Sequence, residues 1–311
     1  MLVIYFFLVL MIIIWSFSFI IVDILVVFIP SPLSIALYRF LVASIGFLLI
    51  DLYIKLKKNK IHNKPTKIKA KRSYSRREWI YLIMASFFGV SFFFFAQYSA
   101  INLIGPSLPA LFVCLLAPVM ISILALIFFS EKLNKFKIIG FIIASIGGFL
   151  LLTGGNLQNI TPESPNFLGY MFALMTPIFW AIYSTITKKI VKNNSSNRIN
   201  KYISYMAVIE LLILVIINNE FITFVQNFLN PILFLSSIYL GVGCYIIGYY
   251  IWQYSQSRLK SAKVASFLYA EPFLTLVFSI LLQRSDVVVI WNILGGIIVL
   301  IAVLIINFER E

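Results

Sequence analysis

The chain has 311 residues, of which 61% are hydrophobic and only 12% are charged. Soluble globular proteins carry about 25% charged residues, so this composition excludes an ordinary water-soluble domain. The net charge of +14 is concentrated in one segment, because eleven of the 25 Lys and Arg lie between Lys55 and Arg77. Tyr74 is the only aromatic residue of that segment, so base stacking, and with it nucleic-acid binding, is not indicated.

Ten apolar segments of membrane-spanning length follow one another along the chain. A helix needs about 20 apolar residues to cross the hydrocarbon layer, whereas a barrel is built from strands of about 10 alternating residues. The segments are longer than such strands and apolar on all sides, so the sequence predicts an all-α integral membrane protein with ten transmembrane helices. The predicted helices cover residues 2–28, 32–54, 79–100, 107–129, 136–153, 167–187, 202–218, 231–255, 261–283 and 287–307.

The basic residues are sorted by side of the membrane. If the loops alternate between two faces, all but two of the 25 Lys and Arg fall on the face of the amino terminus, the exceptions being Arg39 and Arg284. Because Lys and Arg accumulate in cytoplasmic loops, we expect a multi-pass protein of the cell membrane with both termini in the cytoplasm. The basic loop, residues 55–78, would then contact anionic lipid headgroups.

Residues that recur in the same order divide the chain into two similar halves. An extracytoplasmic linker at 154–166, rich in Gly, Asn and Pro, is expected to separate a first five-helix repeat at 1–153 from a second at 167–311. An odd number of helices per repeat inverts the second half relative to the first, which is a recurring plan of secondary transporters. The matched pairs are Trp15 with Trp180, Gln97 with Gln253, Pro118 with Pro272, Glu131 with Asp286, and Gly140 with Gly295.

Four ionisable residues stand out at membrane depth in the predicted helices, namely Asp23, Arg39, Glu210 and Glu271. Such a group costs about 2.5–3.5 kcal/mol near a helix centre, so each is a functional candidate by default. Glu271 either lines a substrate site or is a buried structural acid. Arg39 either binds a carboxylate or phosphate of a substrate, or pairs with Asp23 or Glu271. Glu210 has no sign of a broken helix around it, which favours a hydrogen-bonded structural acid.

Two prolines predict a polar cavity halfway through the membrane. Pro118 and Pro272 occupy matching depths in the fourth and ninth predicted helices. A proline removes one backbone donor and displaces the carbonyl four residues before it. Such carbonyls are tolerated in a membrane only where they face protein or a watery cavity. We therefore expect both prolines to break their helices beside a central cavity, with Glu271 and Thr275 on its wall.

Aromatic and amide side chains supply further candidates for substrate contact. Trp15 and Trp180 lie near the middle of their helices, whereas Trp usually collects at the membrane interfaces. Either a cavity wall or core packing would explain them, and the same two interpretations hold for the remaining candidates. These candidates are Phe19, Tyr38, Gln97, Tyr183, Gln253 and Tyr269.

Small residues and missing motifs limit the other possibilities. Cys114 and Cys244 lie inside helices and are interpreted as packing residues, as are four glycines. The sequence has no His-rich or Cys-rich metal spacing, no Walker loop and no nucleophile elbow, so we expect neither an enzyme, nor a cofactor, nor an ATP-driven pump. The glycines are Gly89, Gly241, Gly243 and Gly248.

Several short motifs resemble one transporter family in their order along the chain. They are Trp15-Ser16-Phe17-Ser18-Phe19, Leu37-Tyr38-Arg39-Phe40, Ala117-Pro118, Ser130-Glu131-Lys132-Leu133 with Gly140, Phe179-Trp180-Ala181-Ile182-Tyr183-Ser184, Tyr239-Leu240-Gly241-Val242 and Tyr269-Ala270-Glu271-Pro272-Phe273. Together they resemble the EamA-type, ten-helix branch of the drug/metabolite transporter superfamily. The resemblance implies two inverted five-helix repeats around a central cavity, and small organic solutes such as amino acids, sugars, nucleotide conjugates or drugs as substrates. One departure is Arg284-Ser285-Asp286, where the family usually has a Gly-Glu pair.

The sequence as a whole favours an alternating-access carrier that exports a small organic metabolite, such as an amino acid or a drug-like solute. Energy would come from a coupled proton, from a counter-substrate or from the solute's own gradient, and Glu271 is the first candidate for the proton. Two alternatives stay open, a non-transporting membrane scaffold or subunit, and a translocator of lipids or nucleotide sugars. A homodimer is also compatible with the sequence.

Overall fold

The computed structural model describes residues 2–29, 31–61, 73–129, 134–153, 167–284 and 290–307. Ten long helices run through this part of the chain, and a short helix, Phe221–Gln226, lies between the seventh and the eighth. The ten are α1 (Leu2–Phe28), α2 (Pro32–Ile61), α3 (Arg76–Ile104), α4 (Ser107–Phe129), α5 (Lys135–Thr153), α6 (Phe167–Val191), α7 (Ser196–Ile217), α8 (Pro231–Gln256), α9 (Ser261–Leu281) and α10 (Ile290–Asn307).

Most of these helices have the length and composition of membrane spans. Eight of the helices described, α1 to α4 and α6 to α9, are long and apolar enough to cross a membrane. The remaining two are shorter, with 19 residues in α5 and 18 in α10. The all-α membrane architecture predicted from the sequence therefore agrees with the structure, whereas ten spans with both termini in the cytoplasm stay a prediction.

Helix ends differ from the prediction because helices continue into polar residues. The third helix begins at Arg76, not at 79, because Ser75 and Glu78 form a capping box in which each side chain bonds the other residue's backbone N–H. The seventh begins at Ser196, six residues before the predicted start. Apolar length sets where a helix crosses the hydrocarbon, but caps and turns set where the helix ends.

Three of the long helices contain segments that are not α-helical. Phe87–Phe92 of α3 and Tyr239–Tyr249 of α8 are π-helical, and Ser266–Ala270 of α9 is a 3-10 segment. The two π segments fall in helices that the sequence repeat pairs with each other. Because π turns are rare and are frequently found at functional sites, their presence in both halves directs attention to what lies beside them.

The two prolines differ in their effect on the helices. At Pro272 the ninth helix changes from the 3-10 segment to an α-helical one, and the carbonyl of Leu268 accepts the N–H of Glu271 instead of the missing donor. The fourth helix continues through Pro118, contrary to the expected break. The proline ring still leaves the carbonyl of Cys114, four residues earlier, without its usual donor.

Helix contacts follow the same pattern in both halves of the chain. Helix α6 contacts α4 and α3, and its matched helix α1 contacts α9 and α8 in the same way. Likewise, α3 contacts α7, and its matched helix α8 contacts α2. The remaining large contacts join matched helices, α2 with α7, α4 with α9, and α5 with α10. A pseudo-twofold relation between two five-helix repeats predicts such an exchange.

Three of the four predicted packing glycines lie at close helix contacts. A Cβ atom on Gly241 would lie 2.7 Å from the carbonyl oxygen of Arg39, and one on Gly248 would lie 2.3 Å from Trp15 Nε1. On Gly89 it would lie 2.1 Å from Tyr183 Cδ2. For Gly243 the packing prediction is wrong, because its nearest neighbour would be 3.8 Å away, an ordinary contact.

Candidate functional site

A central cavity lies between α1, α2, α3, α4, α6, α8 and α9. The cavity and the solvent-open space at its mouth together enclose about 420 Å³. Its wall combines aromatic rings with one basic and one acidic side chain. The lining residues are Trp15, Ser18, Phe19, Arg39, Phe93, Phe94, Gln97, Val113, Cys114, Trp180, Tyr249, Leu268 and Glu271.

Arg39 of α2 is held in the cavity wall by groups of α3. Its Nη1 donates to the Tyr98 hydroxyl at 2.7 Å, and its guanidinium lies 4.2 Å from the centre of the Phe94 ring. The side chain is 3% exposed, and its Nε atom has no hydrogen-bond partner among the described residues. The suggested pair with Asp23 is wrong, because Asp23 accepts from Arg284 Nε at 2.7 Å instead.

Glu271 of α9 faces the same cavity and is 4% exposed. Its carboxyl group lies beside the thiol of Cys114, which lines the same cavity. Thr275, one turn further along, does not line the cavity but donates to the carbonyls of Ser16 and Glu271, at 3.2 and 3.0 Å. Within the described residues no ion pair joins Glu271 to Arg39, so an acidic and a basic side chain line the same cavity without pairing with each other.

Aromatic rings from both halves of the chain close one side of the cavity. Trp15 and Trp180 meet edge to face with ring centroids 5.4 Å apart, and the Tyr249 ring lies 5.7 Å from the first and 5.4 Å from the second. Trp15 Nε1 donates to the carbonyl of Cys244 at 3.0 Å. This contact is made in the π-helical segment of α8, so the π turn positions one of the two tryptophans.

Four of the residues predicted to contact substrate lie outside the cavity. The Tyr38 hydroxyl donates to the carbonyl of Phe228 at 2.8 Å, towards the short helix. Tyr269 lies in a separate apolar cluster with Leu111 and Leu115. The other two, Tyr183 and Gln253, bond to each other behind the aromatic rings, with 2.9 Å between Gln253 Nε2 and the hydroxyl. The structure places the other six, Trp15, Phe19, Arg39, Gln97, Trp180 and Glu271, on the cavity wall.

Glu210 of α7 lies away from the cavity. Its carboxylate accepts hydrogen bonds from Ser86 at 2.9 Å and from Ser91 at 2.6 Å. These two serines flank and occupy the π-helical segment of α3, so the acid is bonded to an irregular stretch of backbone. This geometry agrees with the structural interpretation of Glu210.

Sequence reasoning missed several cavity residues. Cys114 was interpreted as a packing residue. Its position four residues before Pro118 was the available sequence indication that it lies on the cavity wall. Phe93 and Phe94 lie one turn before Gln97, but in a chain with 30 Phe no pattern distinguishes them. No sequence pattern indicated that Tyr249 faces the cavity, because its orientation depends on the π segment. The matched pair Glu131 and Asp286, the linker 154–166 and the part of the basic loop from 62 to 72 lie outside the described residues.

Comparison with known proteins shows what kind of protein this is. The model of the EamA-like transporter family matches residues 2–153 and 167–308, which is almost the entire chain. The chain belongs to the EamA-like transporter family. Family membership and the long apolar helices together make it a multi-pass membrane protein of a transporter family.

Relatives of this EamA-like transporter are named only as transporters. An uncharacterized transporter of Clostridium kluyveri is 26% identical over 181 residues, which cover 58% of this chain and 57% of the relative. The uncharacterized transporter YyaM of Bacillus subtilis is 22% identical over 284 residues, covering 88% of this chain and 84% of the relative. The alignment with the first relative thus spans a little over half of that protein.

A solved structure supports the fold of the EamA-like transporter. That crystal structure matches with a TM-score of 0.64 and 15% sequence identity, and the match covers 96% of this chain and 98% of its own. At this identity the likeness concerns the arrangement of helices alone.

Proposed function

We propose that this transporter is an alternating-access carrier for a small organic solute with both a carboxylate and an amine, such as an amino acid. The observation that carries the proposal is that Arg39 and Glu271 line one aromatic cavity without forming an ion pair. A buried charge is costly unless a partner is present. A solute with opposite charges at its two ends would supply a partner for each residue.

The aromatic rings support an organic solute in preference to an inorganic ion. Trp15, Phe19 and Trp180 offer flat apolar surfaces, and an ammonium group is also attracted to the face of an aromatic ring. Arg39 is the only cation among the lining residues of the described chain. A nucleotide-sugar diphosphate would call for more positive charge, so an amino acid or a similar drug-like solute fits better.

The duplicated architecture supports alternating access. The two repeats, 1–153 and 167–311, would rock against each other about the cavity, with both termini in the cytoplasm and ten spans in the cell membrane. Trp15 and Trp180 come from opposite repeats and touch at the cavity, so relative motion of the repeats changes its shape. We propose export as the direction, with Glu271 as the group that exchanges a coupled proton or binds the solute amine.

Transport by the purified protein tests the proposal. After a thermal-shift screen of amino acids, nucleotides, sugars and amines, proteoliposomes are assayed for counterflow of the radiolabelled solutes that stabilise the protein. Hydrogen bonds to charged groups contribute about 1.5–3 kcal/mol, so Arg39→Gln and Glu271→Gln should each lower the apparent affinity roughly 10-fold or more. Efflux from preloaded cells tests the direction.

Two variants serve as matched controls. Arg284→Gln removes a basic residue and Glu210→Gln an acidic residue that lie outside the cavity, and both should retain the wild-type affinity. Counterflow that is equally impaired in all four variants, or in none, would contradict a charge-specific cavity.

A further inference from the structure

We propose that a file of buried amide side chains is the cytoplasmic half of the transport route, joining the central cavity to an open groove on the basic face of the protein. The inference rests on the carrier function proposed above. The amide file consists of Asn200 of α7 with Gln253 and Gln256 of α8. Tyr183 of α6 connects this file to the cavity.

Tyr183 belongs to both the aromatic wall and the amide file. Its ring stacks on that of Trp180 with centroids 5.2 Å apart and lies 5.4 Å from the ring of Tyr249, and both of these neighbours line the cavity. Its hydroxyl, on the other side, accepts a hydrogen bond from Gln253 Nε2 at 2.9 Å. A single tyrosine side chain therefore spans from the cavity wall to the first amide.

The amide file is buried but incompletely hydrogen-bonded. Gln253 Nε2 also donates to Asn200 Oδ1 at 2.6 Å, and both side chains are fully buried. Asn200 Nδ2 and Gln253 Oε1 then have no hydrogen-bond partner among the described residues. Exchanging oxygen and nitrogen in both amides would preserve the bonds to Tyr183 and between the amides, and would again leave one donor and one acceptor unused.

Gln256 extends the same pattern by one turn. It follows Gln253 by three residues and so lies on the same side of α8. The side chain is 2% exposed, and neither its oxygen nor its nitrogen has a partner among the described residues. Together the three neighbouring amides thus contain four buried polar atoms without a hydrogen bond.

Such a cluster is not expected in a core that serves packing alone. Native proteins pair almost all buried polar atoms, because an unpaired one has lost its hydration without compensation. Apolar side chains would fill the same space at lower cost. The amides are explained if water and solute reach them in the state of the carrier that opens towards the cytoplasm.

An open polar groove lies one helical turn beyond the amide file. Two serines that line the groove lie one turn from the amides. Ser196 precedes Asn200 by four residues on α7, and Ser257 follows Gln253 by four residues at the end of α8. The groove and its mouth enclose about 1050 Å³. Its other lining residues are Val191, Lys192, Asn194, Ser195, Tyr250, Tyr254 and Arg258.

The charge of the groove matches the proposed solute. Lys192 and Arg258 are both exposed there, and the guanidinium of Arg258 lies 3.6 Å from the centre of the Tyr254 ring. Positive charge at the mouth of a cleft raises the local concentration of anionic groups. The carboxylate of a solute would therefore enter first and pass from these cations along the amides to Arg39.

Accessibility of introduced cysteines tests the route. Asn200→Cys and Gln256→Cys are treated in inside-out vesicles with a charged, membrane-impermeant methanethiosulfonate reagent, and the modified residue is identified by peptide mass spectrometry. Ile251→Cys is the matched control, because Ile251 is buried on the same turn of α8 but about 200° around the helix from Gln253. Both route cysteines should react at least tenfold faster than the control cysteine.

Each combination of results has a definite meaning. Equal, slow modification of all three cysteines in protein that still catalyses counterflow would overturn the route and leave the carrier function intact. Fast modification at 200 and 256 without counterflow of any solute would show that water reaches the amides from the cytoplasmic side, but would contradict the carrier function and with it a transport route. Because the two route residues lie on different helices, one variant that fails to fold leaves the other to decide, and thermal unfolding of each purified variant identifies such a failure.

Discussion

The indole rings of Trp15 and Trp180 meet edge to face, with 5.4 Å between their centroids, at the centre of the protein. One ring belongs to α1 and the other to α6, helices that the sequence repeat matches with each other. Each ring also contacts Tyr249 and Trp252 of α8. Binding in the cavity must therefore change the surroundings of both tryptophans.

Tryptophan fluorescence should report solute binding. We expect a transported solute to change the emission of the purified protein, and Trp15→Phe or Trp180→Phe to remove most of that change while retaining an aromatic ring. Trp291→Phe is the control, because Trp291 is 46% exposed on α10 and does not line the cavity. A titration in which the Trp291 variant loses the signal, and the two cavity variants keep it, would contradict the assignment of the site.

A methyl group at Gly89 should destabilise the protein. In Gly89→Ala the new Cβ would lie 2.1 Å from Tyr183 Cδ2, so the ring that links the cavity to the amide file must move. Overpacking of this kind costs about 1–3 kcal/mol. Gly243→Ala, whose Cβ would meet nothing closer than 3.8 Å, should unfold like the wild type. Thermal unfolding in detergent compares the two, and equal midpoints would show that α3 and α6 adjust without strain.

Replacing the buried acid Glu271 by glutamine should abolish the pH dependence of transport. Glu271 lines the cavity, so if this carboxyl group carries the coupled proton, Glu271→Gln should show a strongly reduced solute flux that no longer responds to pH. The control Glu210→Gln alters an acid bonded to Ser86 and Ser91 and should keep the wild-type pH profile. Flux measured across a pH series would remove Glu271 from this role if its response to pH survived the substitution.

The ion pair between Asp23 and Arg284 should make a small, salt-sensitive contribution to stability. The pair joins the ends of α1 and α9, and its side chains are 14% and 27% exposed. Partly exposed pairs contribute about 0.2–1 kcal/mol and are screened by salt. A double-mutant cycle with Asp23→Asn and Arg284→Gln should show coupling of this size at low salt and less at high salt. Coupling that is unaffected by salt would indicate a desolvated pair instead.

The sequence predicted the helices well, because crossing a membrane imposes a local requirement on apolar length. All ten long helices of the described chain overlap their predicted ranges. Their ends were harder to predict. The seventh helix starts at Ser196 in polar residues that carry no hydropathy signal, and the third starts at a capping box that lies before the apolar run.

The sequence predicted how deep in the membrane the residues of the candidate site lie, but not the direction around the helix in which their side chains point. Arg39 and Glu271 were identified because charges in apolar helices are rare, and depth along a helix follows from residue number alone. Direction around a helix depends on periodicity, which is lost in helices that are apolar on all sides. Tyr38 and Tyr269 were therefore indistinguishable from cavity residues. The π segments add a further obstacle, because they rotate the residues that follow them, among them Gln97 and Gln253.

Cys114 has a practical consequence of its own. Its thiol lies beside the carboxyl group of Glu271 on the cavity wall, and the chain contains only one other cysteine, Cys244. Replacing Cys244 by serine would leave a protein with a single sulfhydryl group, located where the cargo is expected to sit. Alkylation of that group would then be slowed by any compound that occupies the chamber, so the native molecule already carries a reporter with which unknown cargoes can be ranked.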